Sequence, residues 1–501
     1  MTRLSLHLPK RASLAWLLAS LALTLLCRPG LAAEPRTWIT GATVISAERH
    51  DSGRKLNVLI EGERIAAVSE ALPAGAARDA QIIDAQGLYL IPGLIDSHVH
   101  VQTVPGMSPQ MQYLHPFVVR DYRKQLPRSF LLYGYTTVVD LVPIDYGVLK
   151  DFASAPAHPD LYHCGAVPLI NGYPTQYAPR LLRPLVFPDF VVDPQNPNGA
   201  PFGTSAAAHT PVAAIGRVKQ EGSICVKTFF ERGFGRDHDL PVPSAELYAD
   251  IVKSAHAAGL PVLIHASSLE AQRFALAADT DILAHGMWNW NEFNGSATLP
   301  DPVRQILDQI VVRHVGYQAT MQVIGGLHLL FEPDYLDRPE VLRVIPQSLL
   351  DWLRSPGGRW FKQDLAGHAT DEQMRARIEA TLWRGAEATA YLAQKNAFFL
   401  FGTDTPSGPV AGNLPGLNGY LEMQRLVAAK MSLRQLLEAA TVNNAQALGL
   451  ASSLGTITAG KRANLVLLGR SPLESVQAYG TVRAVWVGGK RFSPEQLEAN
   501  R

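Results

Sequence analysis

Cysteine is scarce. The 501 residues contain three, Cys27, Cys164 and Cys225, which excludes a disulfide-dense scaffold. Cys164 and Cys225 sit inside strand-like segments, where two cysteines are expected as buried thiols rather than as a bridge. A dominant charge is missing as well. There are 45 basic and 44 acidic residues, and four of the cations (Arg3, Lys10, Arg11, Arg28) fall near the start, so the remainder is slightly acidic. With no basic stripe and no charge block, nucleic acid is not the expected partner. No apolar run reaches the roughly 20 residues that a membrane span requires. The sequence also lacks HExxH, GxxxxGK[ST] and GxSxG, and "RGFGRDH" (232–238) lacks the third glycine of a dinucleotide fingerprint. Those four chemistries are set aside.

The first 33 residues read differently from the rest. A basic start is followed by an apolar stretch, Leu14 to Leu26, and then by small residues at Gly30, Ala32 and Ala33. That order is expected of a signal peptide (1–33) cleaved near Ala32 or Ala33, with a retained membrane anchor as the alternative. Leu26 is too large for the position before a lipidated Cys27. The expectation is an exported protein, periplasmic or extracellular, with no stable membrane insertion after cleavage.

The rest of the chain divides by pattern. Residues 37–90 ("TWITGATVIS", "LNVLIEGERIAAVSE", "AQIIDAQGLYLIPG") alternate apolar and polar positions between turns at Gly41, Gly62 and Gly87, as short antiparallel strands do. Similar material returns in "ANLVLLGR" (463–470) and "VRAVWVGGKRF" (482–492). Residues 34–90 plus 452–501 are therefore expected to form one small β-sandwich domain from both chain ends. Residues 91–451 alternate apolar strands with helical segments: 90–100, 136–142, 161–170, 223–230, 260–267, 281–287, 314–324 and 397–405. Eight strands in that rhythm predict a (β/α)8 TIM-like barrel, with chemistry at the C-terminal strand ends. Two stretches exceed the repeat, 172–205 and 325–395; both begin at that face and are candidate lids.

Several polar residues close these strands. His98 and His100 in "DSHVH" are two apart, so on a strand they share a side and can grip one metal ion. His265 ends "PVLIHA", His285 ends "ILAHG", and Asp404 ends "FFLFGTD". One such residue is ordinary in a core, but a set on successive strand ends is a candidate site. His256 lies in a helix before the fifth strand, at the opposite face, and is not expected to be a ligand.

Lys227 is the odd member, a lysine in the middle of "ICVKTFF". An unpaired ammonium there would cost several kcal/mol, of order ~5. Three readings are open: an ion-paired lysine, a Schiff-base lysine, or a neutral amine that adds carbon dioxide to become an anionic carbamate able to bridge two cations.

"PGLIDSHVH", then strand-end Lys, His, His and Asp, with the tail "AATVNNAQALGLASSLGTITAGKRANLVLLGRSP", resembles the metal-dependent amidohydrolase superfamily. Within it, the imidazolonepropionase-related and Xaa-Pro dipeptidase-like groups are most similar. "KTFFERGFGRDHDLP" departs from the Gly-rich strand-4 loop of those dipeptidases, and "HGMWNWNEF" carries an unusual aromatic cluster. The resemblance implies two divalent metal ions, zinc by expectation. His98, His100 and Asp404 would hold one, His265 and His285 the other, with carboxylated Lys227 between them and Asp404 as base and then acid. The implied reaction is hydrolysis of an amide-like C–N bond in a small molecule. A lactonase or esterase on the same centre, a mononuclear deaminase and a non-catalytic metal-binding relative are the alternatives. The loops after strands 3, 4 and 6 supply candidate substrate contacts: Tyr173, Gln176, Tyr177, Arg180, Arg232, Trp288 and Trp290. Assembly into a homo-oligomer is left open.

Overall fold

Hairpin geometry organises the chain ends. Strands β2 (Arg54–Glu61) and β3 (Arg64–Ser69) are joined by a two-residue turn at Gly62, whose φ is +55°. Strands β14 (Val482–Val487) and β15 (Lys490–Phe492) meet through Gly488 and Gly489, at φ +51° and +76°. Two successive left-handed residues match the right-handed strand twist, and only glycine takes both readily. The computed structural model describes residues 36–499 apart from 49–52, 77, 79, 197–202, 204 and 235–237. The expected signal peptide, with Cys27, lies outside the described residues.

These strands join β1 (Arg36–Val44), β4 (Gln81–Asp84), β5 (Tyr89–Pro92) and β13 (Leu465–Leu468) in one eight-stranded sheet. Its order is β15-β14-β13-β5-β1-β2-β3, with β4 also beside β1. Ile39, Val44, Val58, Ile65, Leu90, Leu465, Leu467 and Trp486 pack its own small core. Both chain ends contribute, but the sheet is mixed where antiparallel strands were expected: β1 runs parallel to β4 and to β5. Neither pairing is adjacent in sequence, so turn signals could not reveal its direction.

The second sheet is wholly parallel, in the order β12-β11-β10-β9-β8-β7-β6. Its strands are β6 (Leu94–Val99), β7 (Tyr135–Asp140), β8 (Asp160–Ala166), β9 (Cys225–Phe229), β10 (Val262–His265), β11 (Ile282–Ala284) and β12 (Gly316–Gln318). Helices α1 (Pro116–Leu132), α2 (Tyr146–Ala153), α3 (Pro211–Gln220), α4 (Ala245–Ala257), α5 (Leu269–Ala277) and α6 (Asp301–Val312) lie between them. Their packing follows from sequence: α6 buries Val303, Ile306, Leu307 and Ile310, one stripe at helical spacing. Ser244 and Ser268 cap α4 and α5 by accepting hydrogen bonds from the third residue beyond each. The sheet is curled. The segment 398–405 bonds both of its edges: Tyr317 N donates to Phe398 O (3.0 Å), and Ser97 N to Phe401 O (3.1 Å).

Three expectations are corrected here. The stretch 314–324 is not one strand: Thr320 adopts φ +41°, and helix α7 (Met321–Leu329) begins at once. The Glu422 carboxylate accepts from the first two helical amides, Met321 N (3.0 Å) and Gln322 N (2.6 Å), which holds that break in place. The stretch 325–395 is no open flap either. It folds into helices ending in α8 (Asp371–Gln394), with Val341, Leu349, Leu350 and Leu353 buried. The indoles of Trp352 and Trp360 both donate to Gly106 O (3.2 and 3.1 Å), fixing the loop that follows β6.

The third correction concerns cysteine. Cys164 on β8 and Cys225 on β9 are register partners, with Cα atoms 4.4 Å apart, and they form a disulfide. Sequence could not show that residues separated by 61 positions lie side by side. Replacing both by alanine is expected to lower unfolding free energy by about 2–4 kcal/mol, measured by denaturant titration without reductant. An unchanged midpoint would mean that the pair adds nothing to stability, either as a bond or as packing.

Candidate metal centre

The six strand-end residues converge. His98 lies on β6 with His100 just past its end, Lys227 lies within β9, and His265 closes β10. His285 follows β11 and Asp404 lies near the end of the edge-bonding segment, and both take left-handed backbone angles (φ +83° and +57°). Positive φ is costly for such residues and concentrates at functional sites. Asp404 Oδ1 is 2.8 Å from His100 Nε2 and 3.1 Å from His98 Nε2. Lys227 Nζ stands 3.5 Å from His98 Nε2. The His285 ring centroid is 5.1 Å from that of His98 and 4.3 Å from that of His265.

The partners of each imidazole fix which nitrogen faces inward. His98 Nδ1 donates to Gln318 Oε1 (3.1 Å), whose amide nitrogen donates in turn to Ser97 Oγ (2.8 Å). His98 Nε2 is then a bare lone pair, yet it faces a carboxylate oxygen. Burial, then the neighbouring Lys227, pushes the His98 imidazole down to about 3, so no proton bridges that contact at neutral pH. A cation between the two acceptors removes the conflict. His285 Nδ1 bonds Thr320 Oγ1 (2.9 Å), leaving Nε2 inward; His265 Nε2 bonds Glu231 Oε2 (3.1 Å), leaving Nδ1. Three imidazoles with engaged outer nitrogens, together with His100 and one carboxylate, suit divalent metal ions, so the donor set fits.

Lys227 is 1% exposed and forms no ion pair among the described residues. Burial pulls its amine down to about 7, so much of it is uncharged near neutral pH. An ion-paired structural lysine is thereby removed from the readings.

Three residues beside the centre escaped sequence reasoning: Gln318, Thr320 and Glu231. Glu231 had a readable signal, an acid four places beyond Lys227 where β9 ends. Its carboxylate also accepts from Ser267 Oγ (3.1 Å) and Gly233 N (2.9 Å), so it is itself immobilised. Glu231→Ala is expected to weaken metal binding through His265 about 10–100-fold in a chelator competition, with Glu231→Gln intermediate. Equal affinity in all three proteins would remove Glu231 from the site.

The expected substrate contacts divide. The Tyr173 ring lies 4.8 Å from that of His265, and the Trp288 ring 5.4 Å from that of His285. Trp290 is fully buried, donates to Met287 O (3.0 Å) and packs on Trp383, which makes it core. Arg232 is paired bidentately with Glu270 (Nη2 to Oε1 2.8 Å, Nε to Oε2 3.2 Å), so its guanidinium is already engaged. The Gln176 amide turns back to the carbonyls of its own loop at Gly172 and Pro174. Tyr177 and Arg180 are exposed on the rim. His256 pairs with Asp281 (2.8 Å) where β11 begins, at the other end of the strands.

A family model described as "Amidohydrolase family" matches residues 89–492. The chain belongs to the amidohydrolase family. Curated relatives match this amidohydrolase only locally. A dihydroorotase of Streptococcus thermophilus (strain CNRZ 1066) is 44% identical over 52 residues, 10% of this chain and 11% of that protein. An adenine deaminase of Rhizobium johnstonii is 45% identical over 74 residues, 14% and 12% of the respective chains. The chain thus spans little more than a tenth of those relatives. Solved structures match throughout. A Xaa-Pro dipeptidase with methionine bound in its active site has a TM-score of 0.60 at 18% identity, covering 91% of this chain and 100% of that one. The A. niger ochratoxinase has a TM-score of 0.64 at 20% identity, covering 92% and 96%.

Proposed function

We propose that this amidohydrolase is exported and hydrolyses an amide-like C–N bond, in a dipeptide, an N-acyl amino acid or a cyclic amide, using two divalent metal ions. The observation that carries the proposal is the convergence of His98, His100, Lys227, His265, His285 and Asp404 at one face of the parallel sheet. His98, His100 and Asp404 are assigned to one ion, taken as zinc, and His265 and His285 to a second. Lys227 joins them as a carbamate: its neutral Nζ forms a bond to the carbon of CO2 and loses one proton, which turns an unpaired buried amine into an anionic two-oxygen ligand. When bound, such a pair of ions polarises a carbonyl oxygen and acidifies a water molecule.

The remaining steps belong to the protein. Asp404 accepts the proton of the attacking water on a carboxylate oxygen and returns it to the leaving nitrogen, serving as base and then as acid. Glu231, Gln318 and Thr320 hold the imidazoles so that nothing reorganises when substrate arrives. Tyr173 and Trp288 wall the approach with rings, which favours an apolar or ring-bearing substrate. The bonds of 398–405 to both sheet edges support reading that segment as the eighth strand of a closed (β/α)8 barrel spanning 91–451. Residues 34–90 and 452–501 are proposed as the second domain. The Cys164–Cys225 disulfide supports an oxidising compartment, in keeping with export.

The proposal is tested by a substrate panel of dipeptides, N-acyl amino acids, cyclic amides and lactones, run with defined metal ions. Metal-dependent release of an amine from at least one amide class is expected. Turnover confined to lactones would replace the amide reading with esterolysis on the same centre.

A further inference from the structure

Among the described residues, the loop after β8 carries apolar surface that no packing covers. Leu181 is 85% exposed, Leu185 76% and Leu182 46%, and Phe234, from the loop after β9, is 48% exposed. From Tyr173 to Pro188 the sequence has no acidic residue, while Arg180 and Arg183 stand among the leucines. Within the loop after β8, leucines interleaved with Arg180 and Arg183 make a surface that is both apolar and cationic, while the loop after β9 brings Arg232 together with Glu231 and Asp239. The apolar and cationic combination complements an anionic lipid surface, where apolar side chains enter the acyl boundary and the arginines meet phosphates.

The rim also leads inward. The Tyr173 ring packs against Phe234 (5.7 Å), Phe229 (5.8 Å) and finally His265 (4.8 Å). Ring contacts therefore link exposed Phe234, through Tyr173, to the imidazole of His265 at the metal centre. We propose that the rim formed by Leu181, Leu182, Leu185 and Phe234 docks on an anionic lipid surface. The ring path then guides the acyl chain of an amphiphilic amide towards the centre. The second half of this proposal rests on the hydrolase reading above; the docking half does not.

The docking half is tested by sedimentation with vesicles of phosphatidylglycerol and with vesicles of phosphatidylcholine. Wild-type protein is compared with the Leu181→Glu/Leu185→Glu variant. Both carry the same N-terminal residues, so a difference reports the rim alone. Wild type is expected to bind phosphatidylglycerol vesicles, less so at high salt, with the variant at least about tenfold weaker. Equal binding by the two proteins overturns the docking. So does a change in solution mass between them, which would show that a second copy covers the rim. For the path, an N-dodecanoyl and an N-acetyl amino acid are compared as substrates with vesicles present. The wild type should prefer the long chain and the variant should lose that preference, both cleaving the acetyl compound alike. If the acetyl compound is cleaved without any chain-length preference, the path is refuted and the hydrolase reading stands. If neither is cleaved, the hydrolase reading and the path fall together, and sedimentation alone decides the docking.

Discussion

Replacing Asp404 by asparagine is expected to cut turnover by about 10²–10⁴. Asparagine keeps the size of the side chain and one oxygen for a cation, but it cannot take up a proton. In the native protein the carboxylate stands at the centre itself, with Oδ1 2.8 Å from His100 Nε2 and 3.1 Å from His98 Nε2, where it is placed to act as a base. The loss should fall on kcat more than on KM, because the proton moves only as the reaction proceeds. Circular dichroism and the thermal midpoint should change little. Undiminished turnover in a folded Asp404→Asn protein would place hydrolysis away from this centre.

The second large effect concerns Lys227. Lys227→Ala removes the proposed bridge, so metal content should fall and turnover should drop about a hundredfold or more, since even outer partners of metal ligands are worth 10–100-fold. Short-chain carboxylic acids should restore part of the activity by supplying two oxygens where the carbamate stood. A companion variant separates this role from packing. Lys227 is buried without an ion pair among the described residues, so in the metal-free protein Lys227→Met should melt no lower than wild type. A Lys227→Ala protein with full metal content and full turnover would contradict the assignment. A lower melting point for metal-free Lys227→Met would return Lys227 to a structural role.

Much of the parallel sheet was legible because each strand is a short apolar run with a polar residue where it stops, as in "PVLIHA" and "ILAHG". The same rule picked out five of the six converging residues and rejected His256, since the order of strand and helix tells which end of a strand a residue occupies; Lys227 stood out instead as a lysine in the middle of an apolar run. Pairing between distant segments was not legible. Cys164 and Cys225 look like isolated buried thiols until β8 and β9 are laid in register, and β1 looks antiparallel to its neighbours until β4 and β5 return beside it. Side-chain partners were the other gap. Arg232 appeared available for a substrate carboxylate, but Glu270 comes from a helix 38 residues away to meet it. Glu231, Gln318 and Thr320 act through imidazoles that only the folded chain brings within reach.

The most direct test is a metal titration of the chelator-stripped protein, with bound ions counted by elemental analysis and amide hydrolysis followed at each step. A centre built from these six residues predicts close to two divalent ions per chain, with hydrolysis appearing as the second ion binds. Full activity at one ion per chain, or two bound ions with no hydrolysis of any amide, would contradict it.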